Sequence, residues 1–159
     1  MGYHGPAFER PPRPASVNRS VQLWILALII GVFSAIVGFM TFGSMREQLI
    51  DEVMETTEGV TRDEAETLVT VSNIIAVGFY LTLLGLILLF VFMMREGKNW
   101  ARITLTVFGT ISVLLSVLTV AGGGFGAILQ LVSAGVVIVA IVFMYRGDAA
   151  PYFRPAPRS

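Results

Sequence analysis

The sequence predicts an all-α, polytopic membrane protein: four transmembrane helices in a bundle, with an extracytoplasmic helical hairpin extending the first two. Three observations predict it. The chain of 159 residues is 55% hydrophobic and only 14% charged, with a mean hydropathy of +0.76, too apolar for an ordinary soluble domain. Its uncharged runs are long: Ser20 to Met45, Thr67 to Met94 and Ile103 to Tyr145 span 26, 28 and 43 residues without a formal charge, where about 20 suffice for one crossing. Its charges are also sorted by segment, positive and negative in alternating blocks.

Residues 1–20 hold Pro6, Pro11, Pro12 and Pro14 with Arg10, Arg13 and Arg19, the composition of a flexible or polyproline-like tail. The first helix is predicted at about 21–43. Its apolar stretch, Val21 to Phe42, is longer than a signal-peptide core and no small-x-small cleavage site follows, so it reads as a retained helix. The acidic stretch 44–68 comes next. Met45, Leu49 and Val53 continue a helical stripe beyond the first crossing. Thr61-Arg62-Asp63-Glu64 matches a capping box that starts a second helix. A helical hairpin with its apex at Thr56 to Gly59 follows from the two together.

The second crossing is predicted at about 69–94. The third uncharged run is long enough for two more, and Gly122-Gly123-Gly124-Phe125-Gly126 marks a turn inside it. Helices are therefore expected at about 102–121 and 127–145, each near 28 Å long. The membrane domain covers 21–146 and residues 147–159 form a second flexible tail. All seven prolines lie in the two tails, so no crossing carries a proline kink.

Orientation follows from the charges. The two tails and the 95–102 connection together hold nine basic and three acidic residues, a net of +6. The stretch Met45 to Val69 holds eight acidic residues against Arg46 and Arg62, a net of −6. Basic residues of short loops stay in the cytoplasm, so both termini are expected inside and the acidic hairpin outside. Trp100, Arg102, Tyr145 and Arg146 are expected to anchor the helices at the inner boundary.

Small residues predict where helices meet. Gly31, Ala35 and Gly38 share one face of the first helix, and Gly78, Thr82 and Gly85 one face of the second. Gln130 shares a face of the fourth with Gly126, Ser133 and Ala140, and is expected to hydrogen-bond across an interface; the third helix offers Ser112, Ser116 and Thr119.

Several chemistries lack their residues. There is no cysteine, which removes thiol redox chemistry, disulfides and thiolate metal sites. No Asp, Glu, His, Lys or Arg falls inside the three uncharged runs that supply the crossings, whereas ion-coupled transport relies on such a group. The calcium-loop pattern is absent from the acidic stretch, and His4, the one histidine, lies in the tail. No catalytic constellation is visible, and no cofactor or nucleic-acid partner is expected. Arg95, Lys98 and Arg102 suit anionic lipid headgroups.

Gly97-Lys98-Asn99-Trp100-Ala101-Arg102 and the ending Tyr152-Phe153-Arg154-Pro155 resemble motifs of a group of small four-helix integral membrane proteins of actinobacteria. Those proteins are similar to this chain in their proline- and arginine-bearing tail, acidic outer loop, G-[KR]-N-W-A-R inner loop and Y-F-x-P ending. The resemblance implies a plasma-membrane location and transfers no catalytic residue.

The expected function is non-enzymatic: an accessory or scaffolding component of a membrane or envelope complex. Its expected partners are membrane lipid and other membrane or envelope proteins, or a second copy, with Asp51, Glu52, Glu55 and Glu58 as the candidate docking surface. The alternative is a small oligomeric channel or transporter for an uncharged or lipid-like solute.

Overall fold

Proline at position 14, with φ −62°, presets the backbone for a helix that begins at the next residue. In the computed structural model, which describes residues 12–119 and 124–153, that helix is α1, Ala15–Thr56. It is followed by α2 (Arg62–Arg95), α3 (Asn99–Thr119), α4 (Gly124–Met144) and a 3-10 turn, Ala150–Phe153. All four helices are long and apolar enough to cross a membrane. The fold is all-α.

Local chemistry sets most of the boundaries. Thr61 caps α2 in a complete capping box: its Oγ1 accepts from the Glu64 amide at 3.4 Å, and the Glu64 carboxylate accepts from the Thr61 amide at 2.9 Å. At the other end of α2, Gly97 takes φ +83°, and the amides of Gly97 and Lys98 donate to the Met94 and Met93 carbonyls. A side chain at 97 would also crowd Tyr152, whose ring lies 3.3 Å from the Cβ position.

The helices pack as a ring, α1 against α2 and α4, and α3 against α2 and α4. The N-terminus of α1, the C-terminus of α2, the N-terminus of α3 and the C-terminus of α4 share one end, with Arg13, Arg19, Arg95, Lys98, Arg102 and Arg146. We call it the basic end. The main core lies there: Val17, Val21 and Trp24 of α1, Val91 and Met94 of α2, Leu105 of α3, Ala140 and Met144 of α4.

That core extends past the predicted membrane domain on both sides, which corrects two expectations. Residues 15–20, predicted within a flexible tail, are helical, with Ser16, Val17 and Ser20 buried. The reason is packing: Val17 continues the stripe of Val21 and Trp24, and the Ser20 hydroxyl donates to the Ala140 carbonyl of α4 at 2.9 Å. The second expected tail is likewise ordered through Phe153, which is buried with Ala149 against the same core. The expected glycine turn is described only in part. Gly124 and Gly126 belong to α4, while Gly122 and Gly123 lie outside the described residues, as do residues 1–11, 120–121 and 154–159.

By length, α1 is about 63 Å, α2 about 51 Å, and α3 and α4 about 32 Å each. The first pair therefore runs on beyond the second pair, away from the basic end. Ile50, Ala65 and Val69 form a second core between α1 and α2 there, flanked by Leu49, Val53 and Val60.

Candidate functional site

Three features stand out: a clasp at the basic end, the acidic helix pair, and a cavity between the four helices.

The clasp takes in residues expected as anchors. The Arg102 guanidinium lies 4.2 Å from the Tyr145 ring centroid and 4.9 Å from that of Phe153, held between two aromatic faces. Arg19 and Arg146 both approach Phe143, at 5.9 and 5.2 Å. Trp100 stands edge-on to Phe90 at 5.6 Å and is half exposed. Of the three cations suited to anionic lipid, Lys98 pairs with Glu96 at 3.1 Å and Arg102 is taken up by the rings.

Asp148 and Tyr152 complete the clasp; Tyr152 belongs to the Y-F-x-P ending, while no contact was expected of either. The Tyr152 hydroxyl donates to the Arg95 carbonyl at 2.8 Å. Pro14 offers α1 no side-chain cap; the Asp148 carboxylate instead accepts from the Ser16 amide at 3.4 Å, a cap supplied by the far end of the chain. Hydrogen bonding with Ser16 holds the Asp148 carboxyl below its ordinary pKa.

On the acidic pair, Arg46 bonds Glu66 at 3.2 Å, and Arg62 bonds both Glu47 and Glu66. These pairs and the Ile50 core hold the helices together. Asp51, Glu52, Glu55 and Glu58 are exposed and take part in none of those ion pairs. The structure places Asp51, Glu52 and Glu55 on the last turns of α1 and Glu58 in the turn that follows it.

The cavity has a volume of about 350 Å³ and draws its walls from every helix. From α1 and α2 come Trp24, Leu28, Gly31, Tyr80, Leu83, Leu84 and Ile87; from α3 and α4 come Phe108, Gly109, Ser112, Ser116, Gln130, Ser133 and Val137. Among the described residues none that lines it carries a formal charge. One helical turn nearer the basic end stand Leu105, Val91 and Ala140 of the core, so the cavity is floored by packed side chains.

Of the predicted packing residues, Gly31 and Gln130 border this cavity. Gly31 is a close contact: a Cβ there would sit 3.1 Å from Leu84 and 3.2 Å from the Tyr80 hydroxyl, which donates to the Gly31 carbonyl at 3.2 Å. Ala35 is half-buried. Gly38, Gly78 and Gly85 meet nothing within 4 Å, so they do not mediate the close approach of helices within one chain. Ser116 donates to the Ser112 carbonyl at 2.8 Å, and Thr82 to that of Gly78 at 2.8 Å, each within its own helix. The tightest approach is at a residue that sequence reasoning passed over. A Cβ on Gly109 of α3 would lie 2.9 Å from Ile141 and from Val137 of α4, and 3.1 Å from Trp24 of α1.

No protein-family model matches the chain, and no curated protein or solved structure does so either. Among the described residues no group of His, Cys, Asp or Glu is arranged to hold a metal ion.

Proposed function

We propose that the chain is a non-enzymatic integral plasma-membrane protein, both termini cytoplasmic, that serves as an accessory or scaffolding component of a membrane or envelope complex. The observation that carries this reading is the projecting pair of α1 and α2. Two continuous helices, tied by the Ile50 core and the Arg46 and Arg62 ion pairs, form a stiff stem, and Asp51, Glu52, Glu55 and Glu58 at its end have no cation of their own. A surface of that kind suits a basic partner outside the membrane. The similarity to small actinobacterial membrane proteins is part of the same proposal.

The orientation rests on the positive-inside rule. Single cysteines placed at Glu55 and Lys98 are expected to react with an impermeant reagent in intact cells at 55 and to be protected at 98. The reverse pattern would invert the topology. For the partner, the tagged protein is purified gently from its native membrane beside a variant carrying Asp51→Asn, Glu52→Gln, Glu55→Gln and Glu58→Gln. A stoichiometric protein lost in the variant supports docking by the stem. A chain that emerges with lipid alone refutes it.

The solute-conducting alternative finds a cavity in its favour and a packed floor against it. Passage within one protomer would have to break the core around Trp24 and Leu105, so conduction falls to a path between protomers.

A further inference from the structure

Two arginines from opposite ends of the chain converge on one ring. Arg19 of α1 and Arg146, just past the end of α4, approach Phe143 with their guanidinium carbons 5.9 and 5.2 Å from its centroid. Those two distances together place the guanidiniums within about 11 Å of each other. A ring attracts a cation without cancelling its charge, and among the described residues neither arginine has a carboxylate within ion-pair distance. Asp148 attracts Arg146 at longer range but bonds the Ser16 amide. Both arginines are exposed. The other cations of the basic end are placed differently. Lys98 pairs with Glu96, Arg102 is enclosed by Tyr145 and Phe153, and Arg13 donates to Asn18 at 3.5 Å. Arg95 lies where α2 gives way to α3, across the ring of helices from the seam between α1 and α4.

We propose that Arg19 and Arg146 form a binding site for the phosphate of an anionic phospholipid, seated at the seam between α1 and α4 with its acyl chains along α4.

Position and chemistry both select this occupant. Arg19 directly precedes the uncharged run that opens at Ser20, and Arg146 directly follows the one that closes at Tyr145. The pair therefore sits where α1 and α4 meet the membrane surface, at the level of lipid headgroups. The Ser20 hydroxyl, which donates to the Ala140 carbonyl at 2.9 Å, ties the two helices together beside it. An arginine fork matches phosphate oxygens, and two forks can each make paired N–H···O bonds to one phosphate. An anion held between them also relieves the repulsion of two like charges. Val139, one turn deeper than Phe143 on the same face of α4, is 44% exposed and gives the hydrocarbon an apolar surface. A zwitterionic headgroup would bring its own cation against the arginines. A headgroup whose only charge is the phosphate would not, so the site favours lipids of the phosphatidylglycerol type over phosphatidylcholine. Headgroup recognition thereby moves from the 95–102 connection to the opposite seam of the basic end.

The inference rests on the helices spanning a membrane, and does not depend on the docking role of the acidic stem. The test is native mass spectrometry of the full chain released from mixed micelles that contain phosphatidylglycerol and phosphatidylcholine in equal amounts. Expected is retention of phosphatidylglycerol in preference to phosphatidylcholine, lowered at least fivefold by Arg19→Gln together with Arg146→Gln. Arg95→Gln with Lys98→Gln removes the same charge at the opposite corner and should leave retention within twofold of wild type. Arg19→Lys with Arg146→Lys keeps the charge but loses both forks; it should lower retention at least threefold, and it decides the matter if the glutamine variant fails to fold. Equal losses in the two glutamine variants would overturn the site in favour of general charge attraction. Equal retention of the two lipids by wild type would overturn its preference for an anionic headgroup. Displacement of the lipid by glycerol phosphate at equal concentration would overturn the lipid as the source of the phosphate and assign the arginines to a soluble ester, with the membrane assignment untouched.

Discussion

Replacing Gly109 with alanine tests whether the tightest glycine contact between helices is read correctly. The new methyl would start 2.9 Å from Ile141 Cδ1 and Val137 Cγ1 and 3.1 Å from Trp24 Cη2, where carbon atoms prefer about 3.5–4.0 Å. Three neighbours must retreat by roughly 0.5–1 Å, on two different helices. Ile141 can turn its terminal carbon aside. Val137 is β-branched and stiff at χ1, and Trp24 is a rigid ring only 2% exposed. Overpacking of this kind costs about 1–3 kcal/mol, and alanine's helix preference returns about 0.5–1 kcal/mol. The expected net loss is about 0–2.5 kcal/mol, centred near 1 kcal/mol. Gly43→Ala is the matched control, because nothing lies within 4 Å of its Cβ position and only the helix gain remains. The assay is thermal unfolding of purified protein in mild detergent, followed by tryptophan fluorescence. Gly109→Ala should melt several degrees below wild type and Gly43→Ala at or above it. Adding Val137→Ala to Gly109→Ala should recover part of the loss, a coupling that a double-mutant cycle measures. If both glycine variants melt together, the helices do not meet at Gly109.

Phe153→Ala should destabilise the basic end by about 3 kcal/mol, since it empties a buried aromatic site and uncovers one face of Arg102; a lowered melting temperature and faster proteolysis after Arg102 would report it. Asp148→Asn should loosen the start of α1, seen as faster hydrogen exchange at the Ser16 amide. The folded carboxyl titrates below its ordinary value, so its stabilising effect is fully present above about pH 4 and disappears as pH falls through the lowered pKa. Wild type and Asp148→Asn should therefore differ near pH 6 and converge in stronger acid. Thr61→Ala should destabilise the start of α2 by about 1 kcal/mol, read as faster exchange at the Glu64 amide with the basic end unaffected.

Much of the architecture was legible because the membrane imposes simple requirements. Length without charge marks a crossing, and the runs ending near Met45, Met94 and Tyr145 mark α1, α2 and α4. The Thr61 capping box was visible because its partners are three residues apart. The limits of the core were not visible. Ser16, Val17, Ala149 and Phe153 are near prolines and arginines in sequence, and their burial depends on partners far along the chain, such as Asp148 for Ser16 and Arg102 for Phe153. Glycine patterning located Gly31 but also nominated Gly38, Gly78 and Gly85, which have open space around them. Spacing shows which residues share a helix face and not which face meets a neighbour. Gly109 escaped notice for the complementary reason: its significance lies in Trp24, on another helix, and no local pattern joins them. The cavity is likewise a product of four helices at once.

The cap that Asp148 places on α1 has a consequence for how the chain is made. A ribosome delivers α1 first, and the carboxylate that completes its first turn follows 132 residues later than Ser16. During synthesis the leading helix therefore waits with an open N-terminus while α2, α3 and α4 are inserted. Phe153, which seals the same core, comes later still. Closure of the basic end thus waits until Asp148 and Phe153 have been made, and a chain interrupted before Asp148 would present α1 uncapped, with the floor of the bundle unsealed.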